Sequence, residues 1–282
     1  MPELPEVETV KNGIAGFIGN AKILAVHINN DNLREKIPED ITEKINGANI
    51  LSYRRIGKYI VIDLNNKLSL IWHLGMSGKI KTFADLPSQK EKHDHIVIET
   101  NHGWIVYNDA RRFGLFTYTP TENLQKSKYF CKMGIDPFDS ELNGIYLLNK
   151  IKNKKAPIKE VLLDQSIVNG IGNIYASEIL YAARISPLRP ACLLNENECC
   201  KIVDCTRLIL KKAIDNGGST LHDYQKPDGS LGYFQNLHCV YKKTDSVVLI
   251  AFATFPKPEE FRKKCCPDVQ LFIVQLCKSE ET

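Results

Sequence analysis

The stretch VNGIGNIYASEIL contains residues whose types and spacing suit the binding of an anion. Gly170 and Gly172 carry no side chain, so the backbone there can approach another molecule closely. Asn173 opens a helical pattern whose first amide groups point the same way, as in a phosphate cradle. Glycines required only by a turn between two helices would give the same residues. No long strand precedes the stretch, so it does not indicate a dinucleotide-binding motif.

Basic residues interleave with aromatic residues and glycines in three further stretches, LSYRRIGKYIVIDL, DARRFGLF and KNKKAPIK. The net charge of +4 is by itself a weak sign of a nucleic-acid partner. A charge run is usually a solvated face. Arg and Lys beside apolar and aromatic side chains, however, are what a groove that follows a phosphate backbone requires.

The amino end, MPELPEVETV, combines prolines with acids at Glu3 and Glu6. Taken alone it is typical of a helix start, where proline is tolerated and acidic side chains suit the positive end. A helical period of apolar residues predicts a helix over residues 3 to 17; its members are Leu4, Val7, Val10, Ile14 and Phe17.

The rest of the chain changes from strand patterns to helix patterns. Short strands separated by turn clusters are predicted from 21 to about 118, for example KYIVIDL, LSLIWHL and HIVIET, which indicates a β-sandwich or barrel. After GIDPF, helices are predicted from about 140 to 222, ending at a glycine pair that suits a C-cap. We therefore expect an α+β fold.

Composition places the chain among ordinary globular proteins. Of its residues, 43% are hydrophobic and 25% are charged. Its length of 282 residues is enough for one large or two modest domains. No run of eighteen apolar residues and no signal-peptide pattern occurs, so we expect a soluble intracellular protein. Nine cysteines, with adjacent pairs at Cys199–Cys200 and Cys265–Cys266, favour a reducing compartment.

Several motifs, in order over about residues 1 to 241, together resemble the formamidopyrimidine-DNA glycosylase (Fpg, MutM) family. They are MPELPEVETV, RRIGKYIVIDL, HLGMSGKI, KHDHI, DARRFG, GIDPF, VNGIGNIYASEIL, GGSTLHDY and GSLGYFQ. The resemblance implies an amino-terminal β-sandwich domain with a leading helix and a helix-two-turns-helix DNA-binding domain. A zinc-finger-like carboxy-terminal region follows. We place the boundaries at 1–130, a hinge with the first helix at 131–153, 154–225 and 226–282.

The resemblance gives the amino end a chemical role. If Met1 is removed, Pro2 becomes a terminal secondary amine, and α-amino groups titrate near about pH 8, so that a useful fraction is an unprotonated nucleophile. Attack on the sugar C1′ would displace a damaged base and leave an iminium, which permits strand cleavage by elimination. The family implies excision of oxidised purines such as 8-oxoguanine and formamidopyrimidines, followed by β,δ-elimination.

Further site residues follow from the same resemblance. It makes Glu3 the proton donor and Lys58 the donor for the later elimination step, with Glu6 in support as a helix-start acid or a site carboxylate. His73 is either a phosphate donor or a strand histidine. Three side chains would fill the space left by an extruded nucleotide, namely Met76, Arg111 and Phe113. Four more are expected to contact DNA, namely His93, Arg112, Lys159 and Asn173.

The tail departs from the family pattern. The family implies zinc held by two Cys-x-x-Cys pairs, but no such pair occurs here, and Cys239, Cys265, Cys266 and Cys277 have the wrong spacing for a closed site. One explanation is a metal-free hairpin, in which SVVLIAFATF forms a strand pair, although this run also reads as aggregation-prone. The other is a shifted reading frame, because CPDVQLFIV re-read one base earlier permits Ser-Gly-Arg-Ser-Thr-Phe-Tyr-Cys, which contains the family's Gly-Arg-x-Thr motif.

We therefore expect a monomeric, cytoplasmic enzyme of bacterial type that acts on double-stranded DNA containing oxidised bases or abasic sites, with no membrane partner. Two alternatives stay open. One is a glycosylase for oxidised pyrimidines, although PELPE resembles the purine-directed branch. The other is a non-catalytic DNA-binding remnant, because the altered tail could abolish binding while the first 240 residues look intact.

Overall fold

The computed structural model describes residues 2–87, 90–220 and 224–241. They divide into two compact units. The first comprises residues up to Met133 together with Lys211–Asn236, and the second comprises Gly134–Leu210 together with the described residues from Leu237 onward. Residues 211–236 thus group with the amino-terminal unit. The domain boundaries at 130, 153 and 225 stay predictions from sequence.

The first unit begins with helix α1, Leu4–Ile18, which confirms the predicted amino-terminal helix. Its apolar stripe is buried through Val7, Val10 and Ile14, as the period requires. The stripe ends differently from the prediction. Phe17 is 43% exposed and Ile18 is fully buried in its place, because the buried face continues from Ile14 to the residue four positions on.

Two antiparallel four-stranded sheets follow within the described residues of this unit. The first has the order β1-β6-β7-β5, with strands Ile23–Ile28, Asp94–Thr100, Gly103–Asn108 and Lys79–Phe83. The second has the order β2-β3-β4-β8, with strands Ile50–Ile56, Tyr59–Leu64, Leu68–His73 and Leu115–Pro120. A short helix, α2, covers Ile41–Ile45. The strand pattern allows a sandwich or a barrel, and the sandwich, which the family resemblance implies, is confirmed.

The core of this unit lies between the two sheets and against α1. Ile98 and Tyr107 reach it from the first sheet, and Ile60 and Trp72 reach it from the second. The opposite face of the second sheet is also covered, since Val61 and its neighbours pack in a smaller cluster with Leu115, Leu124 and Phe130. Burial on both faces explains why β3 reads as a nearly continuous apolar run.

The second unit is helical. It contains α3 (Gly144–Ile151), α4 (Ile158–Leu163) and α5 (Asn173–Ala183), and α6 (Glu196–Asp215) runs on into the first unit's residues. These four helices lie where the sequence predicts helices. Helix α5 is buried over most of its length, from Ile174 to Leu180. In the described part of the chain, no helix has the length and apolar character needed to cross a membrane.

Candidate active site and nucleic-acid interface

The amino terminus of α1 is held by Glu6. Pro2 and Glu3 are buried, and the Glu3 N–H donates to Glu6 Oε2 at 2.8 Å in a capping box. The other oxygen, Oε1, accepts the Ser219 N–H at 2.7 Å. A Cβ at Gly218, where φ is +77°, would lie 2.9 Å from Glu6 Oε1, so only glycine fits there. Glu6 therefore joins the start of α1 to the glycine pair Gly217–Gly218 and the residue that follows it.

Helix α1 is tied to the second sheet by Glu8. Its carboxylate accepts from Lys11 at 2.6 Å and from Arg55 Nε, on β2, at 2.8 Å. Burial raises the pKa of Glu8, but the two cations outweigh it and lower the pKa overall. The ion pair therefore links the first turns of α1 to β2, beside the apolar contacts that pack the helix on the core.

Lys58 lies in the tight turn between β2 and β3 and is only 8% exposed. Burial lowers the pKa of its ammonium group, although the negative charges of Glu3 and Glu6 oppose that shift. Lys58 is thus near enough to Glu3 and Glu6, at the amino end of α1, for their charges to act on it. Three residues proposed from sequence, Pro2, Glu3 and Lys58, thus share one site.

His73 ends β4 beside this site and is buried. Its ring lies 4.7 Å from the ring of Tyr59, and its Nδ1 accepts the Gly75 N–H at 2.9 Å. Burial, with the nearby cations Arg34 and Lys58, lowers its pKa to about 4. The ring is therefore neutral at physiological pH with its proton on Nε2, which leaves that nitrogen as a donor. His73 is thus a strand histidine by position, and its role as a phosphate donor stays a prediction.

The three proposed void-filling side chains project from two loops of the first unit. Met76, between β4 and β5, is 39% exposed, and Phe113, between β7 and β8, is 47% exposed. Arg111 is exposed as well, and its guanidinium lies 5.0 Å from the centre of the Phe113 ring. All three side chains are therefore accessible to a ligand.

The four proposed DNA contacts divide between the units. In the first unit His93 is half-buried just before β6, and Arg112 is exposed with φ at +57°, a left-handed conformation that turns the chain between its neighbours. In the second unit Lys159 lies in the first turn of α4. Asn173 is the first residue of α5, directly after Gly172 at the N-cap, as the cradle prediction requires.

Sequence reasoning missed two buried carboxylates that organise these elements. Asp109, the first residue of DARRFG, is fully buried and accepts hydrogen bonds from both loops that carry the void-filling residues. Glu178 on α5 accepts the N–H groups of Cys239, Val240 and Tyr241 at 2.8, 3.0 and 2.9 Å. For Glu178, an acid inside the mostly apolar run IYASEIL is a usable signal, because a buried charge needs a specific partner.

Two features define the class of protein. One is a β-sandwich preceded by Pro2 and Glu3, and the other is a helical unit in which Gly172 is the N-cap and Asn173 the first residue of α5. They define a DNA-repair protein of the helix-two-turns-helix class. Residues 1–116 match the family model of the formamidopyrimidine-DNA glycosylase N-terminal domain, and residues 133–225 match that of the formamidopyrimidine-DNA glycosylase H2TH domain. The chain belongs to the formamidopyrimidine-DNA glycosylase family, which confirms the resemblance found in the sequence.

Individual relatives agree with this assignment. The formamidopyrimidine-DNA glycosylase of Wolbachia pipientis wMel is 45% identical over 244 residues, which cover 86% of this chain and 89% of the relative. Two solved structures of Lactococcus lactis Fpg, one with DNA containing an abasic site and one with DNA containing N7-benzyl-Fapy-dG, are similar as well. Each is 33% identical, has a TM-score of 0.77, and matches over 85% of this chain and 88% of the other.

The zinc site that the family implies does not fit the residues described. Among them, no group of three or more His, Cys, Asp or Glu side chains is arranged to hold a metal. Cys239 is exposed, and its Sγ lies 3.8 Å from the Leu237 carbonyl oxygen. Cys265, Cys266, Cys277 and the predicted strand pair SVVLIAFATF lie outside the described residues. No step of the chemistry below is assigned to zinc.

Proposed function

We propose that this chain is a bifunctional DNA glycosylase and AP lyase of base-excision repair that removes oxidised purines, including formamidopyrimidines. One observation carries the proposal, namely the convergence of the buried Pro2–Glu3 pair with Lys58 at a helix start held by Glu6. A secondary amine, a carboxyl group and a partly desolvated ammonium group are the set that imine chemistry requires.

The first step is displacement of the damaged base. Once Met1 is removed, the Pro2 nitrogen forms a bond to the sugar C1′ as the glycosidic bond breaks, and the base leaves with the bonding electrons and takes up the proton that the Pro2 nitrogen loses. Glu3 donates a proton to the sugar ring oxygen, so the ring opens and the nitrogen lone pair forms the iminium. The amide that Glu6 holds is the one that links Pro2 to Glu3, so Glu6 orients both groups.

The second step is strand cleavage. The iminium acidifies the proton at C2′. When that proton is lost, a C2′–C3′ double bond forms, the C3′–O bond breaks and the 3′ phosphate leaves. A second elimination releases the 5′ phosphate in the same way, and water then releases Pro2 from the sugar fragment. Lys58 is the proposed proton donor for the elimination that releases the 3′ side, since burial lowers its pKa and makes release of its proton easier than for a solvated lysine.

Borohydride trapping on a duplex with one 8-oxoguanine tests the proposal, because reduction of the iminium leaves a stable covalent adduct. We expect an adduct with the unaltered protein and none with Pro2→Gly or Glu3→Gln. Glu39→Gln, a change of an exposed carboxylate, serves as control. Binding without an adduct would favour the non-catalytic remnant, and preferential trapping on an oxidised pyrimidine would favour the sister specificity.

We also propose that the chain acts without zinc. The tail sequence offers no Cys-x-x-Cys pair, and the described start of the tail is held to α5 by hydrogen bonds to Glu178. Metal analysis of the purified protein tests this directly. A content near zero is expected, and one equivalent of zinc per chain would overturn it. Sequencing of the gene around codon 244 would decide whether a shifted frame encodes the missing cysteines.

A further inference from the structure

The two loops that carry the void-filling side chains are packed backbone against backbone. We call residues 74–78 and 109–114 the wedge loops; the first presents Met76 and the second presents Arg111 and Phe113. Gly75 has φ of +66°, and a Cβ there would lie 2.4 Å from the carbonyl carbon of Phe113. Such contact leaves no room for any residue but glycine, so the loops cannot shift independently at this point.

The Asp109 side chain bonds both wedge loops at once. It is fully buried, and its Oδ1 accepts from the Ser77 hydroxyl at 2.6 Å. Its Oδ2 accepts the Gly114 N–H at 2.8 Å and the Tyr107 hydroxyl at 3.1 Å. Ser77 Oγ in turn accepts the Arg111 N–H at 3.1 Å. One carboxylate therefore connects the Met76 loop to the backbone on both sides of the Arg111–Phe113 turn.

Asp109 is itself fixed on the first sheet. Its N–H donates to the His93 carbonyl at 3.1 Å, and its carbonyl accepts from His95 Nε2 at 2.8 Å. The carbonyl also accepts the Arg112 N–H at 3.2 Å, which turns the loop outward. The anchor of the wedge loops is thus held by the buried His95 on β6 and by the backbone of His93 just before that strand.

We infer that Asp109 is a positioning residue that holds Met76, Arg111 and Phe113 as one preformed wedge. Ordering two loops on binding costs conformational entropy, and a wedge that is already ordered avoids that cost when a nucleotide is extruded. Asp109 then acts on the opening of the base stack and not on the chemistry at Pro2. The role in repair rests on the proposed function, whereas the preformed wedge rests on the hydrogen bonds alone.

The first test measures wedge insertion without catalysis. The protein carries Glu3→Gln and binds a duplex in which 2-aminopurine lies opposite a tetrahydrofuran abasic analogue. We expect saturating protein to change the 2-aminopurine fluorescence, and Asp109→Asn or Ser77→Ala to remove at least half of that change. Asp63→Asn, which alters another carboxylate that accepts several hydrogen bonds in the same unit, should leave the change intact. An equal signal from all variants would overturn the inference.

The second test separates stack opening from chemistry in the active protein. Single-turnover excision of 8-oxoguanine from a duplex should fall about tenfold in Asp109→Asn and less in Ser77→Ala. Nicking of an abasic site in single-stranded DNA, where no stack must be opened, should change by less than about threefold. Equal losses on both substrates would show a general structural role and contradict the inference. If the unaltered protein nicks neither substrate, the proposed function fails while the fluorescence test still decides the wedge.

Folding must be checked in both tests by thermal unfolding. If Asp109→Asn does not fold, Ser77→Ala decides the outcome, because it removes one hydrogen bond to Asp109 and leaves the bond to Gly114 in place.

Discussion

The Glu6 carboxylate and the backbone of Ser219, 213 positions apart in the chain, are joined by a hydrogen bond of 2.7 Å. The same carboxylate accepts the N–H of Glu3 at 2.8 Å. A single buried side chain therefore fixes both the segment with the proposed nucleophile and the glycine pair. The relationship makes Glu6 more than a helix-start acid, since one of its oxygens is committed to a distant loop.

Replacing Glu6 with Gln should disable the site without abolishing the fold. An amide has one acceptor oxygen, so either the Glu3 or the Ser219 N–H would lose its partner. A buried donor left unpaired costs about 1–3 kcal/mol. We expect the free energy of unfolding to fall by about 2 kcal/mol and the rate of borohydride-trapped adduct formation to fall about tenfold or more. Unchanged trapping in Glu6→Gln, measured beside Glu39→Gln, would contradict this role.

Replacing Lys58 with Met should raise the thermal stability of the protein and lower its rate of strand cleavage. Because burial lowers the pKa of Lys58, the charged form is less favourable in the folded state than in the unfolded state at neutral pH. A neutral side chain of similar length removes that penalty, so the melting temperature at pH 7 should rise. Strand cleavage at a preformed abasic site should fall at least tenfold. A lower melting temperature would show that Lys58 is stabilised by Glu3 and Glu6 instead.

His73 should make stability depend on pH in the acidic range. Its folded pKa of about 4 lies below the unfolded value near 6.5, so its stabilising contribution is complete above pH 6.5 and is lost as the pH falls toward 4. The loss amounts to about 3 kcal/mol over that window. His73→Gln does not titrate, so denaturant unfolding of this variant from pH 7 to pH 4 should show a correspondingly flatter profile. Parallel profiles for the two proteins would contradict the assignment.

Glu178 should protect the backbone amides at the start of the tail, residues 239–241, from hydrogen exchange. It accepts three consecutive N–H groups, from Cys239, Val240 and Tyr241, so Glu178→Gln leaves at least one of them poorly paired. Because Val240 and Tyr241 share Oε1 and Cys239 bonds Oε2, we expect the amide of Cys239, or those of Val240 and Tyr241, to exchange with deuterium at least tenfold faster in this variant. Glu160→Gln, an exposed change on α4, is the matched control and should leave the exchange unaltered. Unchanged exchange in Glu178→Gln would show that other contacts hold the segment.

The local elements were predictable from sequence because their periods are strong. Helix α1 follows a 3.6-residue apolar repeat, and the strands of the sandwich read as short apolar runs between turn clusters. Local periodicity placed Phe17 inside, however, because it does not show where the buried face of α1 ends. Strand patterns alone allowed a sandwich or a barrel, and the family resemblance selected the sandwich. That choice depends on which sheet each strand joins, which is a long-range pairing that local periodicity does not contain.

The ordered motifs by themselves determined the family, and with it the proposed roles of Pro2, Glu3 and Lys58, because reactive residue types in a fixed order carry their chemistry with them. Only the tertiary structure decided how those residues are held. Glu6, Asp109 and Glu178 each bond backbone groups that no pattern of residue types reveals. The physical reason is that a buried carboxylate takes its partners from whichever N–H and O–H groups the packed chain leaves around it, and those are known only once the chain has folded.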